Sequence, residues 1–129
     1  MGATSVHFQE SELRCHCSCG QNECTQALVD ALEAFRAVVG LPVTVQDAYR
    51  CPDHNKAVGG VPDSTHVLGQ AADISVTGLN GDDLDKAARQ VPAIRGIGVD
   101  HYRNYVHIDV REIPAVVSWT YDAAGKWVA

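Results

Sequence analysis

Two short stretches hold the side chains with the most chemical capacity, "DSTHVLGQAADI" and "VHIDV". The first places His66 and Asp73 seven positions apart among small residues. In the second, strand alternation sets His107 and Asp109 on one face and Val106, Ile108 and Val110 on the other. Taken singly, each has a plain explanation: a loop histidine near an ordinary strand-start aspartate, or a strand whose polar side faces water. Joined, His66, Asp73 and His107 supply the three nitrogen and oxygen ligands of a catalytic zinc site, which leaves one position for water. The spacing is not the helical His-x-x-x-His pattern, so a loop and two strands must bring these ligands together. Gly69, Ala71 and Ala72 suit a backbone that turns tightly and packs closely between the first two.

The cysteines offer a second chemistry. Five are present, four of them within "CHCSCGQNEC" (Cys15, Cys17, Cys19, Cys24), with Cys51 far downstream. An odd number excludes complete internal pairing. Small buried residues with an incidental disulfide are one reading; a structural zinc cluster is another, although Cys-x-Cys-x-Cys is not the usual two-residue-spaced knuckle. Of the other histidines, His7 and His16 have no neighbour suggesting a shared site, and His54 lies in a loop beside Asp53.

The elements that must position these residues follow from periodicity. "NECTQALVDALEAFRAVVG" places Leu28, Ala31, Leu32, Phe35 and Val38 on one helical stripe, and Gly40 with Pro42 stops it. "PVTVQDAYR" alternates and is β-branched, a strand ending near Tyr49. "CPDHNKAVGGVPDS" is a long loop with a short helical turn at "HNKAV", and long loops in compact domains are often functional. "AADISVTG" is a strand opening at Asp73. "NGDDLDKAARQVPA" is a helix capped at Asn80 or Asp82, with Leu84, Ala87, Ala88 and Val91 facing inward. "RGIGVDHYRNYVHIDVR" reads as a β-hairpin turning near Arg103-Asn104, and "SWTYDAAGKWVA" adds a strand or hairpin. Without a regular βαβ rhythm, the expected architecture is a single α+β domain over 1–129 with an antiparallel sheet.

Bulk properties exclude several function classes. The chain has 129 residues, enough for one domain with a substantial core. Its 46% hydrophobic and 20% charged residues argue against disorder. A net charge of -6 argues against a nucleic-acid surface, and no apolar run approaches the ~20 residues that span a bilayer. The N-terminal stretch has neither a basic nor an apolar leader region, so synthesis as a soluble cytoplasmic chain without membrane insertion is expected.

The ordered motifs resemble the M15 family of zinc peptidases, which includes D-Ala-D-Ala carboxypeptidases and phage L-alanyl-D-glutamate endolysins. The pattern Ser-x-His-x-x-Gly-x-Ala-x-Asp is present as Ser64, His66, Gly69, Ala71 and Asp73. "AYRCPDHNKAVGG" is similar to the family's Tyr-Arg-Ser-Pro-x-x-Asn segment, with Cys51 in place of serine. "GIGVDHYRNYVHIDVR" is similar to its Gly-x-Gly strand followed by Val-His-x-Asp, and "HFQESELRCHCSCG" resembles a subgroup found in prophages and cell-wall enzymes. The likeness covers most of residues 7–111. It implies the hedgehog/D-Ala-D-Ala peptidase-like fold, Zn2+ on His66, Asp73 and His107, and peptidoglycan stem peptides as substrate at the bacterial cell wall. It also implies that Arg50 binds a substrate carboxylate or polarises the carbonyl, and that Ser64 contacts substrate or caps its turn. A monomer is expected.

One position departs from the pattern. Many members carry an acid three residues before the last histidine ligand, where this chain has Asn104, which cannot accept a proton from water. Asp109 is the first substitute, or else an orienting partner of His107. A turn centred on Arg103-Asn104 would instead set Asp100 opposite His107, with Cβ atoms roughly 5 Å apart. A turn one residue different would pair His101 with His107, placing an oxyanion donor or proton shuttle there. The alternative function is a zinc-bearing cell-wall binding or structural module without turnover.

Overall fold

The computed structural model describes residues 2–61 and 64–128. Its architecture is α+β, and no helix among the described residues is long and apolar enough to cross a membrane. A short helix α1 (Glu10–Leu13) precedes the main helix α2 (Gln26–Val39). Thr25 caps α2 by accepting from the Leu28 N–H at 3.2 Å. Gly40 ends it in the left-handed conformation, φ 66°, where a Cβ would be strained. Of the expected stripe, Leu28, Ala31, Leu32 and Phe35 are buried, while Val38 faces out and Val29 takes the inward place.

The strands are β1 (Thr44–Asp47), β2 (Ala71–Ser75), β3 (Gly96–Asp100), β4 (Tyr105–Asp109), β5 (Val117–Tyr121) and β6 (Trp127–Val128). They form one sheet in the order β1-β2-β4-β3-β5-β6. The expected helical turn after Cys51 is α3 (Pro52–Ala57), and α4 (Gly81–Arg89) lies between β2 and β3. Residues 62 and 63 of the expected long loop lie outside the described residues. Asn80 caps α4 in a reciprocal box with Asp83.

Three details depart from the sequence expectation. The sheet is mixed rather than antiparallel, because β5 runs parallel to β3. After β4 the chain passes beneath the start of β3, where the Val117 N–H donates to the Arg95 carbonyl, and returns upward on the far side. Skipping one strand in this way reverses the sense of pairing. Second, β2 opens at Ala71, so Asp73 stands in mid-strand rather than at its start.

Third, the β3–β4 hairpin has a four-residue loop, and Asp100 pairs with Tyr105 while Gly98 pairs with His107. Neither Asp100 nor His101 faces His107. The Asp100 carboxylate explains the longer loop: it accepts from the backbone of Tyr102 and Arg103 and from the Arg103 guanidinium at 2.8 to 3.0 Å. Asn104 closes the loop with φ 53°, a conformation asparagine tolerates better than most residues.

Alternation divides the sheet. Ala72, Ile74, Ile97, Val99, Val106 and Ile108 join the core beneath α2 and α4. Their neighbours Asp73, Gly98, His107 and Asp109 turn to the other face, where the chemistry lies.

Candidate metal centre

Asp73 and His107 are cross-strand partners on β2 and β4, which brings their side chains within reach of each other. His66 reaches the same point from the turn before β2. That turn is anchored by the Gly69 carbonyl accepting from the Thr25 N–H at 2.8 Å. Gly69 has φ 69°, and a Cβ there would collide with the Glu23 backbone, so glycine is required on both counts. His66 Nε2 lies 3.3 Å and His107 Nδ1 3.1 Å from the same oxygen of Asp73. One ligand atom from each of His66, Asp73 and His107 lies within 4.8 Å of the others, and the set can hold a metal ion.

The donor chemistry fits a divalent ion. His66 Nδ1 is 2.6 Å from the Ala48 carbonyl, which can only accept, so Nδ1 carries the proton and Nε2 keeps its lone pair for a metal. His107 Nε2 is 2.9 Å from Asp109, which in the same way leaves Nδ1 as the ligating nitrogen. Each imidazole is thus oriented from behind, as metal ligands commonly are. With no ion in place, burial alone would lower the His107 pKa, but hydrogen bonds to Asp109 and Asp73 overcome it and push it up to about 9. Burial would raise the Asp73 carboxyl, yet the two histidines hold it well below the usual carboxylate range.

The same arrangement favours the orienting alternative for Asp109 over the role of base. It is fully buried behind His107, and Arg111 grips both its oxygens at 2.7 Å through Nε and Nη2. Burial would raise its pKa, but Arg111 and His107 keep the carboxyl well below its ordinary value. A carboxylate so engaged, on the far side of the ring from Nδ1, orients a ligand and is poorly placed to take a proton from water. Gly96 makes this possible, since a Cβ there would strike the Asp109 carboxylate. Gly98 likewise leaves space for the Trp119 indole, which lies 5.3 Å from the His107 ring and beneath the Arg111 guanidinium at 5.4 Å. The Gly-x-Gly pair is therefore a requirement of room.

The other sequence candidates fall into place around a cleft of about 870 Å³ that borders His66, Asp73 and His107. Arg50 lines it, held by Asp47 through Nε at 2.8 Å and by Asn55 through Nη1 at 2.9 Å. Ser64 lines it too, and its hydroxyl accepts from the His66 N–H at 3.2 Å, the turn-capping role. Asp100 ends β3, and its carboxylate is engaged by the hairpin loop. His101 is exposed and paired with Asp82 at 2.9 Å, away from the three ligands. Asn104, at the position of the expected acid, accepts from the Gly81 N–H at the start of α4, at 3.1 Å.

Asp47 was not legible in the sequence. A bulge in the β1–β2 pairing, between Val45 and Asp47, sets Asp47 opposite Asp73; bulges re-aim side chains in this way. Its Oδ2 holds Arg50, and its Oδ1 is buried with no hydrogen-bond partner among the described residues. Strand alternation past Asp109 could have flagged Arg111. Nothing in the local sequence flagged Trp119, Tyr105 or Tyr121, which reach the cleft through non-local pairing. No curated protein matches the chain. The family model described as peptidase M15 matches residues 6–109, and the ligand set, its orienting partners and that match agree: the chain belongs to the peptidase M15 family.

Proposed function

We propose that this chain is a zinc-dependent peptidase that hydrolyses amide bonds in the stem peptides or cross-links of peptidoglycan, as a carboxypeptidase or endopeptidase. The observation that carries the reading is the convergence of His66 Nε2, Asp73 Oδ1 and His107 Nδ1 beside an open cleft, with the remaining ring nitrogens committed elsewhere. A zinc ion held there would activate water near neutral pH and polarise the scissile carbonyl. Membership of the M15 family supports the metallopeptidase class.

The chain's own residues do the rest. Arg50 has two of its N–H groups engaged, and its remaining donors can pair with a stem-peptide carboxylate in the planar geometry arginine favours. Asp47, beside Asp73 with one oxygen unpartnered, is the carboxylate assigned to accept the proton from water and return it to the leaving amine. Burial pushes the Tyr121 hydroxyl up to about 12, so it stays protonated at neutral pH and can donate to the carbonyl oxygen. A peptidoglycan substrate would put the working enzyme at the bacterial cell wall.

A second reading has an observation of its own. Asn104 occupies the family's acid position and is spent on capping α4, which favours a zinc-bearing wall-binding module without turnover. Mass spectrometry of purified peptidoglycan treated with the zinc-loaded protein separates the two. Peptidase action predicts new peptide termini that disappear on chelation and in His66→Ala. Full zinc content with no new termini would leave the binding module. Asp47→Asn should keep zinc and lose turnover, and unchanged turnover would remove Asp47 from the mechanism.

A further inference from the structure

Next to Arg50 in the chain, at Cys51, four sulfur atoms meet. Cys17 Sγ lies 3.4 Å from Cys15, 3.1 Å from Cys19 and 3.5 Å from Cys51. One sulfur from each of the four lies within 4.8 Å of the others, and all are free thiols. The separations exceed a disulfide bond of about 2.05 Å. They approach the roughly 3.8 Å between sulfurs that a tetrahedral ion with Zn–S bonds of about 2.3 Å requires. We propose that Cys15, Cys17, Cys19 and Cys51 form a second, closed tetrathiolate site for a structural zinc ion.

The backbone is arranged for it. N–H groups of Cys19, Cys51 and His54 point at the sulfurs of Cys17, Cys15 and Cys51, each at 3.4 Å. Such donors stabilise thiolates and orient them, as partners behind metal ligands do. The loop that carries three of the ligands has no regular structure, and is closed by the Cys15 N–H donating to the Gln21 carbonyl at 2.7 Å. Alternate residues of such a loop can turn inward together, which the two-residue spacing of a zinc knuckle is not needed to achieve. The odd cysteine count is accounted for by Cys24, which sits apart, buried, with its thiol directed at the Leu13 carbonyl. Four soft ligands with no open position make a structural site rather than a catalytic one.

The site also has a place in the molecule's economy. Cys51 directly follows Arg50, and the Tyr49 N–H donates to the Leu13 carbonyl at 3.2 Å. An ion on the four sulfurs would clamp the N-terminal segment to the strand exit that presents Arg50 to the cleft. This proposal stands whether or not the cleft is a peptidase site.

The test reads metal and spectrum rather than activity. The His66→Ala/His107→Ala double variant keeps all five cysteines, and loaded with cobalt(II) it should bind one ion with the strong near-ultraviolet sulfur-to-cobalt absorption of a tetrathiolate. The unaltered protein purified with zinc should hold two ions per chain, and Cys24→Ser should still hold both. A double histidine variant that binds no cobalt, or binds it without that absorption, would overturn the proposal. So would intact-mass evidence that the four thiols are paired as disulfides in protein purified under reducing, zinc-replete conditions.

Discussion

His66, Asp73 and His107 stand on or beside paired strands, and each histidine is fixed from behind by a carbonyl or a carboxylate. Cys15, Cys17 and Cys19 stand in a loop without regular structure, and Cys19 is exposed. The first cluster is held in position by strand pairing and by the partners behind each ring. In the second, sulfur-directed N–H groups and one loop hydrogen bond are the restraints in evidence, so an ion there would contribute order rather than find it. The contrast fits the role proposed for each site: turnover would need ligands that hold still around an open position, whereas a closed four-sulfur site can draw its stability from the metal.

The largest expected effect tests the sheet-borne cluster. His107→Ala removes a proposed ligand and should abolish cleft metal binding and hydrolysis together, while leaving thiolate-bound metal in place. Metal analysis beside a peptidoglycan digestion assay reads both. Retained hydrolysis would break the comparison at its root.

Next is Asp109→Asn, which frees His107 to reorient and strips Arg111 of its buried partner. Metal affinity should fall about 10–100-fold, seen as a weaker zinc dissociation constant in competition with a chelator. A fall in kcat at unchanged zinc affinity would instead return Asp109 to the role of base.

The pH dependence of cleft zinc binding comes next, at about tenfold for each pH unit, and has a defined sign. With no ion, His107 holds its extra proton below about pH 9, and a metal needs Nδ1 bare. Each ion bound therefore displaces a proton, so affinity should rise as the pH rises, about tenfold per unit for one proton, and level off above about 9. Calorimetry in buffers of different ionisation enthalpy would count the proton.

The smallest effect concerns how the N-terminal segment is held without metal. Glu33 on α2 accepts from the Ser5 hydroxyl and the His7 backbone and pairs with the His7 ring. Burial opposes its charge, but these partners lower its pKa to about 2. A depressed carboxyl stabilises the fold above its unfolded pKa of about 4.3, and that stability is lost as the pH falls toward 2. Glu33→Gln should thus cost about 1 kcal/mol or less near neutrality, and the cost should shrink in acid. Thermal melts of the two proteins at several pH values would show the converging curves.

The candidate centre was legible where chemistry is local. His66, Asp73 and His107 are the residue types a zinc site needs, the alternation of "VHIDV" does set His107 and Asp109 on one face, and Asn80 and Gly40 mark their helix ends as expected. The surroundings of the carboxylates were not legible, because they depend on register. A two-residue turn would make Asp100 a cross-strand neighbour of His107, but the Asp100 carboxylate organises a longer loop and moves the partner to Gly98.

The sequence by itself marked His66, Asp73 and His107 as residue types able to bind metal, the stop of α2 at Gly40, and the apolar face of β4, since these follow from residue type and from periods of two and 3.6 residues. Tertiary structure decided the surroundings of each carboxylate. Asp109 is enclosed by Arg111 and His107, and Asp47 stands beside Asp73 because a bulge shifts one strand against another. It also decided that Cys51 joins the N-terminal cysteines while the nearer Cys24 does not. Such choices rest on pairings between distant parts of the chain, and the local pattern of residues carries no record of them.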